Sequence, residues 1–239
     1  MMDEKHIAIM QPYFFPYIGY WQLINAADTF VVYDDGAFID SVWICRNRIL
    51  NHEGTGPMNF GIRVSHGSHN KIIYQVERTD IEWVSGKLMK TLAERYKRAP
   101  HYNEVIKVIR PLILNPEKNL SRYLTCIIKG VASYLGIKTD IHLSTEVSKE
   151  GLEHVDKKVA RICDHFGIHN YINPIGGMQF YDKAEWAANG VNIQFLKRND
   201  DIRYRQFYFK YVPDLSIIDI MMFCSREEIG KLLNEYTLL

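Results

Sequence analysis

No C-x-x-C pair occurs in this chain: its four cysteines, at positions 45, 126, 163 and 224, stand far apart. That spacing argues against a zinc ribbon and a dithiol redox motif, and it suits a reducing compartment with buried, inert thiols. A charge excess is missing too. With 29 basic and 28 acidic side chains the net charge is +1, so no global field draws the chain to nucleic acid or an anionic membrane. No stretch approaches the roughly 18 consecutive apolar residues that span a bilayer. The opening MMDEKHIAIMQPYFF carries early acids and no uninterrupted apolar signal core, so a cytoplasmic protein without membrane insertion is expected. Signatures of familiar nucleophiles and cofactors (G-x-S-x-G, the Walker loop, G-x-G-x-x-G, H-E-x-x-H) are absent, and the sequence names no cofactor. His66 and His69 stand three apart without a cysteine or acid nearby, so no metal site is expected there.

What is present is an ordinary globular composition, 47% hydrophobic and 24% charged over 239 residues. A chain of that length buries roughly 70% of its unfolded surface and needs no disulfide or metal to hold it together. HIAIM at 6–10 reads as a buried strand, residues 17–27 have apolar positions at helical spacing, and TFVVY at 29–33 reads as a second buried strand. VWICRNRIL and NFGIRV follow as strand-like pieces. Between about 83 and 135 the pattern turns helical, punctuated by Pro100, Pro111 and Pro116, with Asn119 or Ser121 as the cap of the last helix. The strand–helix rhythm then resumes: strands at 139–143, 170–175 and 191–196, helices at 155–166 and 182–189. The expectation is a single α/β domain over 1–239, a mostly parallel Rossmann-like sheet with flanking helices and a helical insertion near 83–135.

In open parallel sheets ligands collect at the carboxyl ends of strands, where three polar loops fall: residues 11–19, 34–40 and 173–179. In the first, QPYFFPYIGY, two prolines stiffen the chain and Gly19 permits close approach. The helix that follows offers its amide end to an anion. Gln11, Tyr13 and Tyr20 divide evenly between site and core, whereas Phe14, Phe15 and Trp21 are assigned to the core. Tyr17-Ile18-Gly19-Tyr20 stands where nucleotidyltransferase-type folds carry H-x-G-H, without either histidine, so adenylyl transfer does not follow. Asp34 and Asp35 are the candidate catalytic acids. As neighbours on an extended chain they point to opposite faces and are not expected to reach one atom together; turn-forming aspartates before Gly36 are the equal alternative. On an extended stretch after Trp43, Arg46 and Arg48 face one way, a forked donor pair for phosphate or carboxylate, and Lys71 is a weaker candidate cation.

Five segments taken in order resemble the WbqC-like family: IMQPYFFPYIGYWQL at 9–23, ADTFVVYDDGAF at 27–38, Trp43 with RNRI at 46–49, YINPIGG at 171–177 and LSIIDIMMF at 215–223. Carried over residue by residue, the resemblance points to Gln11, Pro12, Pro16, Gly19, Asp34, Asp35, Trp43, Arg46, Asn47, Arg48, Asn173, Gly176 and Gly177. One departure stands out: the family looks basic between the aspartates and the tryptophan, where this chain has Phe38-Ile39-Asp40-Ser41-Val42. The resemblance implies a setting in bacterial surface-polysaccharide (O-antigen, lipopolysaccharide) biosynthesis. A nucleotide-linked sugar is then the expected partner, and the leading activity is transfer of an acyl or aminoacyl group, from an unnamed donor, to the amine of a nucleotide-linked amino sugar. An ATP-dependent carboxylate-activating enzyme and a non-catalytic nucleotide-sugar-binding or assembly protein stay open as alternatives. So does a homo-oligomer, since LSIIDIMMF suits a buried element or an interface.

Overall fold

The computed structural model describes residues 5–39, 43–147, 155–207 and 210–239; Asp40, the last residue of the second polar loop, lies outside them, as do Ser41 and Val42. Two short apolar runs form the sheet's centre. Strand β1 (His6–Met10) and strand β2 (Thr29–Val32) pair in parallel, Ile7 opposite Thr29, and helix α1 (Ile18–Ala26) joins them. A small antiparallel hairpin follows, β3 (Arg46–Leu50) with β4 (Pro57–Gly61), and then a two-residue pair, β5 (Arg63–Val64) with β6 (Arg78–Thr79).

The helical stretch resolves into α2 (Ile81–Tyr96), α3 (Tyr102–Ile113) and α4 (Leu120–Leu135). Helix α3 runs two residues past Pro111, which occupies its last turn. Asn119 caps α4 by accepting from the Arg122 amide, while Ser121 lies inside the helix with its hydroxyl committed elsewhere. The α/β rhythm then returns: β7 (Asp140–Leu143), the single turn α5 (Ser144–Val147), α6 (Val155–Phe166), β8 (Asn170–Pro174), α7 (Lys183–Ala188) and β9 (Asn192–Arg198). LSIIDIMMF settles as a helix, α8 (Ile217–Phe223), capped by Ser216; α9 (Arg226–Leu232) and β10 (Tyr236–Leu238) close the described chain.

Six strands make the main sheet in the order β10-β9-β8-β1-β2-β7, parallel except for β10 at the edge. The pleat sorts the core. Ile7, Ile9, Val31, Tyr171, Ile193 and Phe195 pack with Val159, Ile162 and Cys163 of α6 and Trp186 of α7. Their chain neighbours Ala8, Phe30, Val32, Ile172 and Leu196 belong to the larger cluster that holds α1, the hairpin, α2–α4, α8 and α9. Side chains one residue apart leave opposite faces of a strand, and burial on both faces is why these strands read as continuous apolar runs. Among the described residues no helix is long and apolar enough to cross a membrane.

One buried polar knot sits inside the apolar α8. The Asp219 carboxylate accepts from Tyr96 Oη (2.7 Å), Tyr204 Oη (2.6 Å) and Gln206 Nε2 (2.9 Å). Gln206 in turn holds both the N–H and the carbonyl of Val212. Burial pushes the Asp219 carboxyl up while these hydrogen bonds pull it back. The knot ties the irregular segment after β9 to α2 and α8 without leaving a buried donor unpaired.

Burial also sets the alkaline limit of the fold. Desolvation holds the phenols of Tyr20, Tyr96, Tyr171 and Tyr204 well above 10.0, and it pushes the Cys163 and Cys224 thiols up from 9.0 to about 12. The unfolded chain releases these protons first, so their stabilisation is whole below pH ~9 and drains as pH climbs through the folded values, each group costing about 1.4 kcal/mol per pH unit. Lys158 and Arg78, both lowered by burial, oppose the trend. Urea denaturation at pH 8, 10 and 11 is expected to show a midpoint that falls steeply between the last two; a level midpoint contradicts this account.

Candidate functional site

The chain leaves β1 toward β2 and then β7, and returns to build β8 and β9 on the other side of β1. The strand order therefore reverses between β1 and β8, the place where open α/β sheets form a crevice at their carboxyl ends. Two clefts open there and share Pro174 and Gly176 as a common wall. One, of 490 Å³, lies on the side of α1 and β3 and is lined by Tyr13, Tyr17, Trp43, Arg48, Lys197 and Arg198, among others. The other, of 600 Å³, lies on the side of α6; its walls include Gln11, Tyr33, Lys158, Asn173, Phe180 and Tyr181. Both volumes fit small-molecule sites.

The first cleft depends on a turn that the local sequence does not favour. Phe15 takes a left-handed backbone (φ 42°), uncommon for a residue with a side chain. The turn is held from outside. Asn47 Nδ2 donates to the carbonyls of Phe14 (3.2 Å) and Phe15 (2.9 Å), Ser216 Oγ donates to Phe15 O at 2.7 Å, and Trp21 Nε1 donates to Pro16 O at 2.9 Å. Phe14, Phe15 and Trp21 are fully buried. Gly19 has its own reason: a Cβ there would meet Tyr17 Cε2 at 2.6 Å, so glycine lets the tyrosine ring lie across the start of α1.

Around this turn the cleft gathers cations and aromatic faces. The Arg48 guanidinium lies 5.3 Å from the centroid of the Trp43 ring, and Arg198 lies 5.9 Å from that of Tyr17. Arg198 Nη1 pairs with Asp214 Oδ1 at 2.6 Å, and Arg48 Nη2 donates to the Asp214 carbonyl at 3.3 Å. Arg48 Nε is buried and has no acceptor among the described residues. Three cations (Arg48, Lys197, Arg198) face two acids (Asp200, Asp214) in the wall, which leaves one positive charge and one unspent donor for an anion. Burial raises the phenols of Tyr13 and Tyr17, with Arg198 partly offsetting the second, so both stay neutral hydroxyls at neutral pH.

Beside the second cleft lies a buried ionic cluster. Asp34 is 1% exposed, Asp35 5% and Lys158 2%. The two aspartates leave opposite faces of the chain, Asp34 toward Ser121 of α4 and Asp35 toward Lys158 of α6. Even so, Ser144 Oγ at the start of α5 lies within reach of both, 3.0 Å from Asp34 Oδ1 and 2.6 Å from Asp35 Oδ1, because β7 ends directly beside β2. The expectation that no atom meets both carboxylates fails for that reason. Asp34 also accepts from the Thr145 amide (3.1 Å), Thr145 Oγ1 (3.1 Å) and Ser121 Oγ (2.7 Å). Asp34 is thereby spent on holding the fold, whereas Asp35 reaches the cleft through its ion pair with Lys158. Burial lowers the Lys158 ammonium, Asp34 raises it, and Arg161 lowers it.

The residues singled out from sequence divide accordingly. Tyr13, Gly19, Trp43, Asn47 and Arg48 meet at the first cleft, Gln11, Asn173 and Gly177 at the second, and Gly176 at both. Asn47 lines its cleft with a side chain already used on the turn. Tyr20 is buried, its hydroxyl donating to Gln11 O at 2.9 Å, and serves the core. Arg46 shares a strand face with Arg48 but lies opposite Gly61 in the hairpin, outside both walls, so the forked pair is not formed. The second guanidinium comes from Arg198, 150 residues on, which no local spacing announces. Lys71 sits in the segment that bridges to Ala37–Phe38 and lines neither cleft. Lys158 and Ser144 also escaped sequence reading: a lysine in an amphipathic helix and a serine after a strand are ordinary in isolation. Among the described residues no group of three or more His, Cys, Asp or Glu side chains is placed to hold a metal.

Asn47→Ala is expected to cost about 1–3 kcal/mol of stability, the penalty of leaving a buried carbonyl without its donor. Asn47→Asp should lose at least as much, since a carboxylate cannot donate and repels both carbonyls. Urea denaturation of the two variants decides; a wild-type midpoint in Asn47→Asp removes the pinning role.

A model of the WbqC-like protein family matches residues 11–231, and the chain belongs to that family. It is 25% identical over 219 residues to a Mycobacterium tuberculosis protein named only as uncharacterized protein Rv1507c, covering 91% of this chain and 93% of that one. No solved structure matches.

Proposed function

We propose that this WbqC-like protein is an enzyme of bacterial surface-polysaccharide biosynthesis that transfers an acyl or aminoacyl group to the amine of a nucleotide-linked amino sugar. The observation that carries this reading is the pair of clefts meeting at Pro174 and Gly176, one cationic and aromatic, the other backed by a buried lysine–aspartate pair. A group transfer needs its two substrates brought together, and the two clefts adjoin at Pro174 and Gly176.

In the first cleft Arg48, through its unspent Nε, and Arg198 clamp the diphosphate, and guanidinium groups suit that forked anion geometry. Trp43, Tyr13 and Tyr17 give flat faces for the base and the sugar. The amine of the sugar attacks the acyl carbonyl carbon; the C–N bond forms as the bond from acyl to carrier breaks. The proton shed by nitrogen passes to Asp35 and from there to the departing carrier atom. Asp34 contributes by position, fixing Ser144 and through it Asp35.

A second reading, ATP-dependent activation of a carboxylate, draws support from the reversal of strand order beside the start of α1, whose first turn has no side-chain cap and so suits an anion. The two separate by product, since activation releases pyrophosphate and simple transfer does not.

Thermal-shift titration with nucleotide-linked amino sugars tests the proposal, because a ligand of the folded state raises the melting temperature. A selective upward shift with one such sugar is expected, weakened about tenfold or more in apparent affinity by Arg48→Ala, the loss of one charged hydrogen-bond set. Arg46→Ala should leave it unchanged. A shift that survives Arg48→Ala, or one seen with ATP alone, removes the transferase assignment.

A further inference from the structure

The second cleft carries an unmet demand of its own. A lysine ammonium has three N–H donors, and Lys158 is 2% exposed. Among the described residues its partner is Asp35, and no hydrogen bond of regular geometry satisfies Nζ. The face of the Tyr33 ring lies 5.2 Å from Nζ to the centroid. A buried charged donor left short of acceptors is costly, yet this one forms part of the wall of an open cleft. Something that accepts hydrogen bonds belongs there.

The remaining wall defines the rest of the occupant. Ile9, Met10, Val159 and Ile162 give an aliphatic floor, and Phe180, 77% exposed, stands at the rim. The charge count decides the head group. Asp35 already neutralises Lys158, and Asp34 and Arg161 act on it with opposite sign. A free carboxylate would add a further negative charge beside two buried aspartates and one buried lysine, whereas a neutral carbonyl oxygen accepts from Nζ without adding charge.

We propose that the second cleft is an acyl-binding site, in which Lys158 donates to the carbonyl oxygen of an apolar or aromatic acyl group whose carbon frame lies along Ile9, Val159, Ile162 and Phe180. This deepens the transferase reading by naming the class of its donor: an esterified, thioesterified or amidated acid with an apolar side chain, in place of a free acid. Asp35, which takes the amine proton in the transfer, also holds the Lys158 ammonium at the wall.

The full chain is titrated with phenylacetamide and with phenylacetate, which share a carbon frame and differ in head-group charge, by ligand-observed NMR. No nucleotide sugar is present, so the result stands apart from the fate of the transferase reading. Phenylacetamide is expected to bind more tightly than phenylacetate and to weaken about tenfold in Lys158→Met, the loss of one charged hydrogen bond. It should weaken several-fold in Phe180→Ala, a surface change that leaves the core intact. Where Lys158→Met fails the far-UV circular dichroism check for folding, Phe180→Ala decides. Absence of binding, or binding that both folded variants retain, overturns the site; tighter binding of phenylacetate overturns the neutral-carbonyl assignment. Binding of phenylacetamide in a protein that ignores every nucleotide-linked sugar would keep this cleft and remove the transferase function.

Discussion

Three consecutive carbonyls, those of Phe14, Phe15 and Pro16, must find donors in a place sealed from water. They find them in Asn47 of the hairpin, Ser216 at the head of α8 and Trp21 of α1. A buried carbonyl without a partner costs on the order of 1–3 kcal/mol, so the turn after the central strand folds only when two distant parts of the chain, the hairpin and the start of α8, arrive beside α1. The first cleft inherits its shape from that meeting. Tyr13 and Tyr17 flank the pinned turn, Trp43 gives its carbonyl to the Phe14 amide at 3.1 Å, and Arg48 follows Asn47 on the same strand. An apparently local motif, QPYFFPYIGY, is therefore a long-range construction.

The sheet then divides the chemistry between its faces. Because neighbouring residues of a strand diverge, Asp34 enters the helical side and Asp35 the side of α6, and their environments differ accordingly. Asp34 is saturated by hydroxyls and an amide, whereas Asp35 meets one lysine and one serine. The same divergence puts Tyr33, Tyr171 and Asn173 on the wall of one cleft and Pro174 between the two.

Much of the fold was legible in sequence. Apolar runs marked β1 and β2 as strands buried on both faces, and 3.6-residue spacing marked α6 at the residues where it occurs. Pro111 misled slightly, since a proline in the last turn of a helix breaks few hydrogen bonds and α3 continues past it. The edge strand β10 went unread: three residues near the chain's end carry too little periodicity to stand out, and they become a strand only by pairing with Arg198–Leu196. Of the candidate site, residues close to one another in sequence, such as Tyr13, Trp43 and Arg48, were within reach of pattern reading. Arg46 was selected beside Arg48 on strand alternation, and the hairpin carried it away from the cleft.

Hydrophobic periodicity, turn residues and the absence of a charge excess determined by themselves that this chain builds a mostly parallel α/β sheet with polar loops at its carboxyl edge. Those are properties of neighbours along the chain, and backbone geometry translates them directly into strands, helices and faces. Which side chains become partners was decided only by tertiary structure. Ser144 comes to Asp35 from 109 residues away, and Asn47 Nδ2 reaches Phe15 from 32; Arg198 joins Arg48 across most of the chain. Such pairings depend on strand order and on which face each helix covers, and strand order is set by the packing of the whole core, which no local pattern encodes.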